Sequence, residues 1–278
     1  MLGSTMFRVL SQRADWSVAG AVRAEAARAA FAPRDAARLI CGVDLAVPDA
    51  IAGLFRQAAP DVVVNCAGLT KHLPEGNRPL PALMLNAVLP HRLAELCGAT
   101  GVRLIHISTD CVFSGRQGNY RETDPADAED VYGKTKHLGE VAGPRLVTLR
   151  TSTIGHEIST RYGLLEWFLA QTECKGYRRA IFSGLPTVEL SRVIRDLVIP
   201  DAALSGLYHV GADAIDKNSL LNLIAREYGK NTVIVPDDSV VIDRSLNSDR
   251  FAAATGYRAP GWPALISQMR QSRLEETH

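Results

Sequence analysis

The sequence predicts an α/β fold: a doubly wound parallel sheet followed by a smaller C-terminal lobe. Three observations carry that expectation. Over residues 1–150, short apolar runs bounded by turn residues alternate with helix-length stretches, the pattern of successive βαβ units. One run, DVVVNCA at 61–67, is almost continuously apolar, as expected of a strand covered on both faces. Aromatic residues make up 6% of the 278 residues and hydrophobic residues 46%. That balance suits aliphatic helices on a buried sheet and excludes general disorder.

Taken in order, residues 17–22 read as a strand, 25–31 as helix or loop, and 38–42 as a short strand running into Val43-Asp44-Leu45. Residues 48–59 are amphipathic and open on Pro48, a favoured first-turn residue. The strand at 61–67 is followed by a long helical pattern over 80–100 that stops at Gly101. A strand at 103–107, a helix at 131–141 and a strand at 145–149 complete the alternation. Beyond 151 the rhythm changes. Trp167, Tyr177 and the turn Gly184-Leu185-Pro186-Thr187 interrupt it, and a short strand at 206–210 precedes a helix at 219–228. Residues 245–269 read as two short helices around Pro260 and Pro263. No Gly/Ser- or Pro-rich linker intervenes, so the chain divides into a domain over 1–150 and a lobe made mostly of 151–278.

Composition excludes several classes. The 31 Lys plus Arg against 30 Asp plus Glu leave a formal charge of +1, without the basic excess of a nucleic-acid binder. No apolar stretch reaches the ~18 residues of a membrane span. Arg8, Arg13 and Asp15 break up any signal-peptide core. The five cysteines are scattered without a CxxC pair, which supports neither a disulfide framework nor a zinc site. The seven histidines form no HxxxH or HExxH pattern, so no metal is expected. A cytoplasmic protein is the expectation, and the sequence leaves a homodimer open.

In a doubly wound sheet the ligand crevice lies beyond the C-terminal strand ends. That edge collects Gly68, Thr70, Ser108, Thr109 and Asp110. Tyr132 and Lys136, in Tyr132-Gly133-Lys134-Thr135-Lys136, are four residues apart and share one helix face. An ammonium beside a phenol favours the phenolate and lowers its pKa from about 10. Such a phenol can exchange a proton with a carbonyl or alcohol oxygen, and Thr109 could hydrogen-bond the same oxygen. Tyr-x3-Lys spacings also occur by chance in helices; the preceding strand ending in Ser-Thr-Asp singles this one out.

The segments DVVVNCAG (61–68), LNAVLPHRLAELC (85–97), HISTDCVFSG (106–115), YRETD (120–124), VYGKTKHLGE (131–140) and LRTSTIG (149–155) resemble the extended short-chain dehydrogenase/reductases acting on nucleotide sugars. Within that group they are most similar to dTDP-4-dehydrorhamnose reductases, as are GLPTVEL (184–190), GLYHVG (206–211) and RSLNSDRF (244–251). The resemblance implies a Rossmann-type domain using NADP(H) or NAD(H), a substrate-binding C-terminal lobe, and reduction of a 4-keto-6-deoxy nucleotide sugar for polysaccharide biosynthesis. The implied reaction takes dTDP-4-dehydro-L-rhamnose to dTDP-L-rhamnose. It places the catalytic roles on Thr109, Tyr132 and Lys136, with Lys136 also on the nicotinamide ribose. Cys111 stands where the related 4,6-dehydratases place a basic Glu and where a reductase more often has an aromatic residue.

The resemblance further implies cofactor contacts at Gly3, Arg23, Asp44, Cys66, Ala67 and Gly68, besides Tyr132 and Lys136. Gly3 matches the third glycine of GxxGxxG; the opening strand and first two glycines have no counterpart in the sequence. A basic Arg23 suits a 2′-phosphate, favouring NADP(H), and Asp44 suits the adenine. Lys71, His72, Thr109, Asp110 and Arg244 are the candidate substrate contacts, and Asn86 is a candidate support for the active-site strands. Plain readings stay open: Arg23 as a surface cation, Asp44 as a turn residue, Lys71 and His72 as a solvated loop. So do a nucleotide-sugar epimerase, a reductase of a UDP- or GDP-sugar, and a non-catalytic regulatory protein on the same fold.

Overall fold

A computed structural model of the chain describes residues 1–71, 73–158 and 160–276; His72, a candidate substrate contact, lies outside the described residues. The first half runs α1 (Leu2–Leu10), β1 (Gly20–Ala21), α2 (Pro33–Ala36), β2 (Leu39–Ile40), α3 (Pro48–Ala58), β3 (Val62–Asn65), α4 (Pro79–Ala82), α5 (Leu89–Thr100), β4 (Arg103–Thr109), α6 (Val131–Leu138) and β5 (Leu146–Thr151). The second half runs β6 (Thr153–Ile154), α7 (Leu164–Leu169), β7 (Glu173–Tyr177), β8 (Ala180–Phe182), β9 (Leu185–Pro186), α8 (Thr187–Val193) and β10 (Gly206–His209). It ends with β11 (Ile215–Asp216), α9 (Lys217–Tyr228), β12 (Val233–Asp237), β13 (Ile242–Asp243), α10 (Asp249–Thr255) and α11 (Trp262–Glu276).

The central sheet is parallel, in the order β3-β4-β5-β10. One row of its register reads Val64, Ile105, Val147, Gly206. The strand expected at 206–210 is the last member of this sheet. It returns to the sheet laid down by the first half and pairs with β5. The strands β1 and β2 form their own parallel pair.

Period-two alternation along β4 sends its side chains to two cores. Ile105 and Ile107 pack with Met6 and Leu10 of α1, Leu190 and Val193 of α8, and Leu265 of α11. Leu104 packs on the other face with Ile51 and Phe55 of α3 and Leu89, Leu93 and Cys97 of α5. Helices thus cover both faces, which is the doubly wound arrangement. Each fully buried aliphatic side chain contributes roughly 1.5–3 kcal/mol, so these rows, not hydrogen bonding, hold the layers together.

Every residue of β4 is buried, but Val62, Val63 and Val64 of β3 are only half-buried. The apolar run led us to expect cover on both faces; β3 instead lies at the sheet edge, bonded to β4 alone among the described residues. The helical pattern at 80–100 is continuous but contains a π turn over Leu83–Val88, and it ends where Gly101 takes φ 72°, the left-handed cap glycine favours. In the second half, β8 is flanked by β11 and β13, so α9 and residue Arg244 start from strands on either side of it.

Candidate active site

Three segments meet at the C-terminal edge of the sheet: the end of β4, the first half of α6 and the residues after β3. Asp130 caps α6, its Oδ1 accepting from the Gly133 amide at 2.6 Å. The helix must approach the turn after β4 closely, because a Cβ at position 133 would overlap the carbonyl oxygen of Cys111. Gly139 has the same role at the other end, where a Cβ would overlap the carbonyl oxygen of Asn86. With both ends held, Tyr132 and Lys136 lie one turn apart beside Thr109.

Lys136 is 5% exposed and its Nζ donates to the carbonyl oxygen of Ile107 at 2.7 Å. Burial pushes its pKa down to about 8, while Glu140 and Cys66 hold it up. Burial pushes the Tyr132 phenol well above its ordinary value, with Cys111 adding to the rise and the facing Thr109 hydroxyl offsetting part of it. The expected lowering of Tyr132 by Lys136 is not what this arrangement produces: the ammonium is directed at a backbone carbonyl, and desolvation dominates. The half-buried phenol holds its proton across the working range, which is the form a proton donor needs.

The Thr109 hydroxyl is already engaged. It accepts from the Cys111 amide at 3.1 Å and donates to Asp110 Oδ1 at 3.1 Å. Asp110 is itself buried; desolvation raises its pKa, and Arg244 is the leading charge opposing that rise. Burial likewise pushes the Cys111 thiol up to about 11, so it stays protonated and cannot serve as the base of an elimination.

The structure brings Lys71, Thr109, Asp110 and Arg244 together around Cys111. Lys71 Nζ lies 3.7 Å and Arg244 Nη1 3.8 Å from its sulfur, and Arg244 Nε donates to the Phe113 carbonyl at 2.7 Å. A third cation, absent from the sequence expectations, joins them. Lys217 is half-buried at the start of α9, and its pKa is lowered first by burial and then by Lys71. Among the described residues none of the three cations has a carboxylate within 4.0 Å. One local signal pointed to Lys217: a cation in a helix's first turn opposes the helix dipole. Nothing local connected it to residues 71 and 244.

Asn86, on the π turn, holds the strand ends as expected. Its Oδ1 accepts from the Leu69 amide at 2.8 Å, and its Nδ2 donates to the Leu69 carbonyl at 3.0 Å and to Thr135 Oγ1 at 3.2 Å. The extra residue of a π turn turns this side chain inward from an otherwise regular helix.

For a dinucleotide, the first turn of α1 meets the end of β3 at Gly3, where an added Cβ would rest 3.6 Å from Cys66. Gly3 and Cys66 meet there, Ala67 and Gly68 follow at the end of β3, and Lys136 lies near enough to Cys66 to feel its charge. Arg23 and Asp44 lie apart, both exposed, after β1 and β2. Asp44 Oδ1 accepts from the Ala46 amide at 3.0 Å, a turn contact, and no hydrogen bond or ion pair joins either residue to the Tyr132 cluster. Among the described residues no group of three or more His, Cys, Asp or Glu could hold a metal ion, and no helix is long and apolar enough to cross a membrane.

Comparison with known proteins adds the family. Residues 1–236 match the model of the RmlD substrate binding domain. The chain belongs to the RmlD substrate-binding domain family. It is 37% identical over 244 residues to the dTDP-4-dehydrorhamnose reductase of Sinorhizobium fredii, covering 79% of this chain and 82% of that one. It is 30% identical over 243 residues to the spore coat polysaccharide biosynthesis protein SpsK of Bacillus subtilis, with the same coverage of 79% and 82%. Among solved structures, the Bacillus anthracis dTDP-4-dehydrorhamnose reductase in complex with NADP superposes with a TM-score of 0.75 at 16% identity, over 91% of this chain and 98% of that one. The Bordetella bronchiseptica enzyme WbmG in complex with NAD and UDP gives 0.77 at 16% identity, over 99% and 92%. At these identities the superpositions speak for the Rossmann-type fold of this RmlD-family chain.

Proposed function

We propose that this RmlD-family chain is an NAD(P)H-dependent oxidoreductase that reduces a 4-keto-6-deoxy nucleotide sugar, converting dTDP-4-dehydro-L-rhamnose to dTDP-L-rhamnose. One observation carries the reading: α6 presents a protonated, half-buried Tyr132 to the strand end that holds Thr109, with a neutral thiol at Cys111 where an elimination would need a base. The relatives named above as dTDP-4-dehydrorhamnose reductases support the substrate.

A bound nicotinamide supplies the hydride. The chain's own residues do the rest. Tyr132 gives its proton to the sugar's O4 as negative charge develops there. Thr109 orients that oxygen by turning its hydroxyl from Asp110. Lys136, anchored on the Ile107 carbonyl, holds the turn of α6 that carries Tyr132 against β4. Lys71, Lys217 and Arg244 offer the diphosphate more positive charge than the one Asp110 carboxylate among them offsets, which suits phosphate oxygens. On this reading residues 1–150 form most of the dinucleotide half and 151–278 most of the substrate half.

The test is NADPH consumption with dTDP-4-dehydro-L-rhamnose, in the wild type and in Tyr132→Phe. The expected loss is on the order of 10²–10⁴ in turnover, with cofactor binding retained. Full turnover in the variant removes Tyr132 from the mechanism. Absence of turnover in the wild type overturns the reductase. Interconversion of sugars on retained NAD would replace it with an epimerase.

A further inference from the structure

The end of α6 carries a buried polar chain that the proposed chemistry does not use. Glu140 follows Lys136 by four residues, just past the Gly139 cap that ends α6. Its Oε1 accepts from Ser108 Oγ and from Arg150 Nε, both at 2.7 Å. Its Oε2 accepts from Arg150 Nη2 at 2.7 Å and meets His137 Nδ1 at 3.1 Å. Arg150 then passes the connection on: its Nη1 lies 3.3 Å from His209 Nε2. His209 Nδ1 lies 3.0 Å from the Tyr120 carbonyl, so Nδ1 carries the proton and Nε2 accepts from the guanidinium. Tyr120 stacks on Phe113 at 4.1 Å between ring centroids and bridges to Leu246, two residues from Arg244.

The placement along β4 is what gives this chain a role. Ile107 receives Lys136, Ser108 binds Glu140, and Thr109 faces Tyr132. One side chain within α6 and one just past its end thus fasten the helix to consecutive residues of the strand that ends in the active site. From the geometry we propose that Glu140 is a positioning residue for the reduction: through Ser108 it sets the proton-donor helix against β4, and through Arg150 and His209 it ties that helix to the segment bearing Arg244.

A buried, bidentate carboxylate–guanidinium pair is weak evidence for stability alone. A network that joins the proton donor to an anion-binding cation has a further use: it holds apart, at a constant distance, the two ends that a nucleotide sugar must span. The groups facing Lys136 are Glu140 just past its helix, Cys66 after β3 and His106 on β4. Of these Glu140 carries the full negative charge, its carboxyl held below the usual range by Arg150 and Ser108 against the opposing effect of burial.

The inference rests on the proposed reductase reading, and its test separates the two. Glu140→Gln keeps an acceptor for Ser108 but removes the charge; Ser108→Ala removes one bond and leaves the Arg150 pair intact. The expected result is a fall in kcat of about tenfold for Glu140→Gln and about threefold for Ser108→Ala, with KM for NADPH little changed, because small misplacements of a proton donor are costly to rate. Carbon NMR of isotope-labelled lysine side chains, which needs no substrate, should show Lys136 titrating roughly half a unit or more lower in Glu140→Gln. Folded variants that lose thermal stability yet keep the wild-type kcat and Lys136 titration overturn the proposal. A wild type without turnover, in which the Lys136 shift still appears, overturns the reductase reading and leaves the positioning of Lys136 standing.

Discussion

The ammonium of Lys136 and the carbonyl oxygen of Ile107 are 2.7 Å apart, and this contact, not one to Tyr132, anchors the lysine. A carbonyl carries no full charge to offset desolvation, which is why Lys136 titrates near 8 instead of 10.5.

Lys136 is charged below about 8 and neutral above it. Turnover is therefore expected to fall as pH rises through that value, since an uncharged amine holds the Ile107 carbonyl, and with it the turn bearing Tyr132, less firmly. In Lys136→Arg the guanidinium stays charged at all working pH, so the alkaline fall should vanish from the pH profile even if the overall rate drops. An unchanged alkaline limb in that variant would assign it to another group.

Gly133 tolerates no side chain, because a Cβ there would overlap the Cys111 carbonyl. Gly133→Ala should force α6 away from the strand end. A loss of about 1–3 kcal/mol is expected for such overpacking, read as a lowered Tm, together with at least a tenfold fall in kcat. A variant with wild-type values for both would mean the helix has room to shift that the structure does not show.

The cation cluster should be read by nucleotide binding. Arg244→Ala and Lys217→Ala are each expected to weaken dTDP binding roughly 10-fold or more, as for loss of a charged hydrogen bond, and to flatten its dependence on salt. Calorimetry at two salt concentrations measures both. Tight binding with the wild-type salt dependence in Lys217→Ala would take that residue out of the cluster.

Two histidines are buried in the neutral form. Burial holds His106 well below 6.5 and His209 down to about 4. The unfolded chain takes up these protons near 6.5 and the folded chain does not, so stability is present above that pH and is lost as pH falls below it. The slope is about 1.4 kcal/mol per pH unit for each histidine. Denaturant unfolding between pH 6.5 and 5 should show it, and His209→Gln should remove about half. An unaltered slope in the variant would place the acid sensitivity elsewhere.

The sequence by itself determined the layer pattern and the helical spacing of Tyr132 and Lys136. Alternation of apolar runs with amphipathic stretches is a local property, and β4, β5, α3 and α6 appear within a few residues of where it puts them. The Tyr132–Lys136 spacing is likewise a helix period, and the strand ending in Thr109 is adjacent in chain to its own motif. Tertiary structure decided what depends on distant pairing. It joined β10 to β5, left Val62–Val64 at an edge and half-exposed, turned Asn86 inward on a π turn, and gathered Lys71, Lys217 and Arg244 around Cys111. It also set the direction of the pKa shifts, since a lysine four residues from a tyrosine can face it or face a backbone carbonyl, and only the packing of α6 on β4 chooses. Periodicity records which side of an element is buried; it holds no record of which residue, a hundred positions away, arrives to cover it.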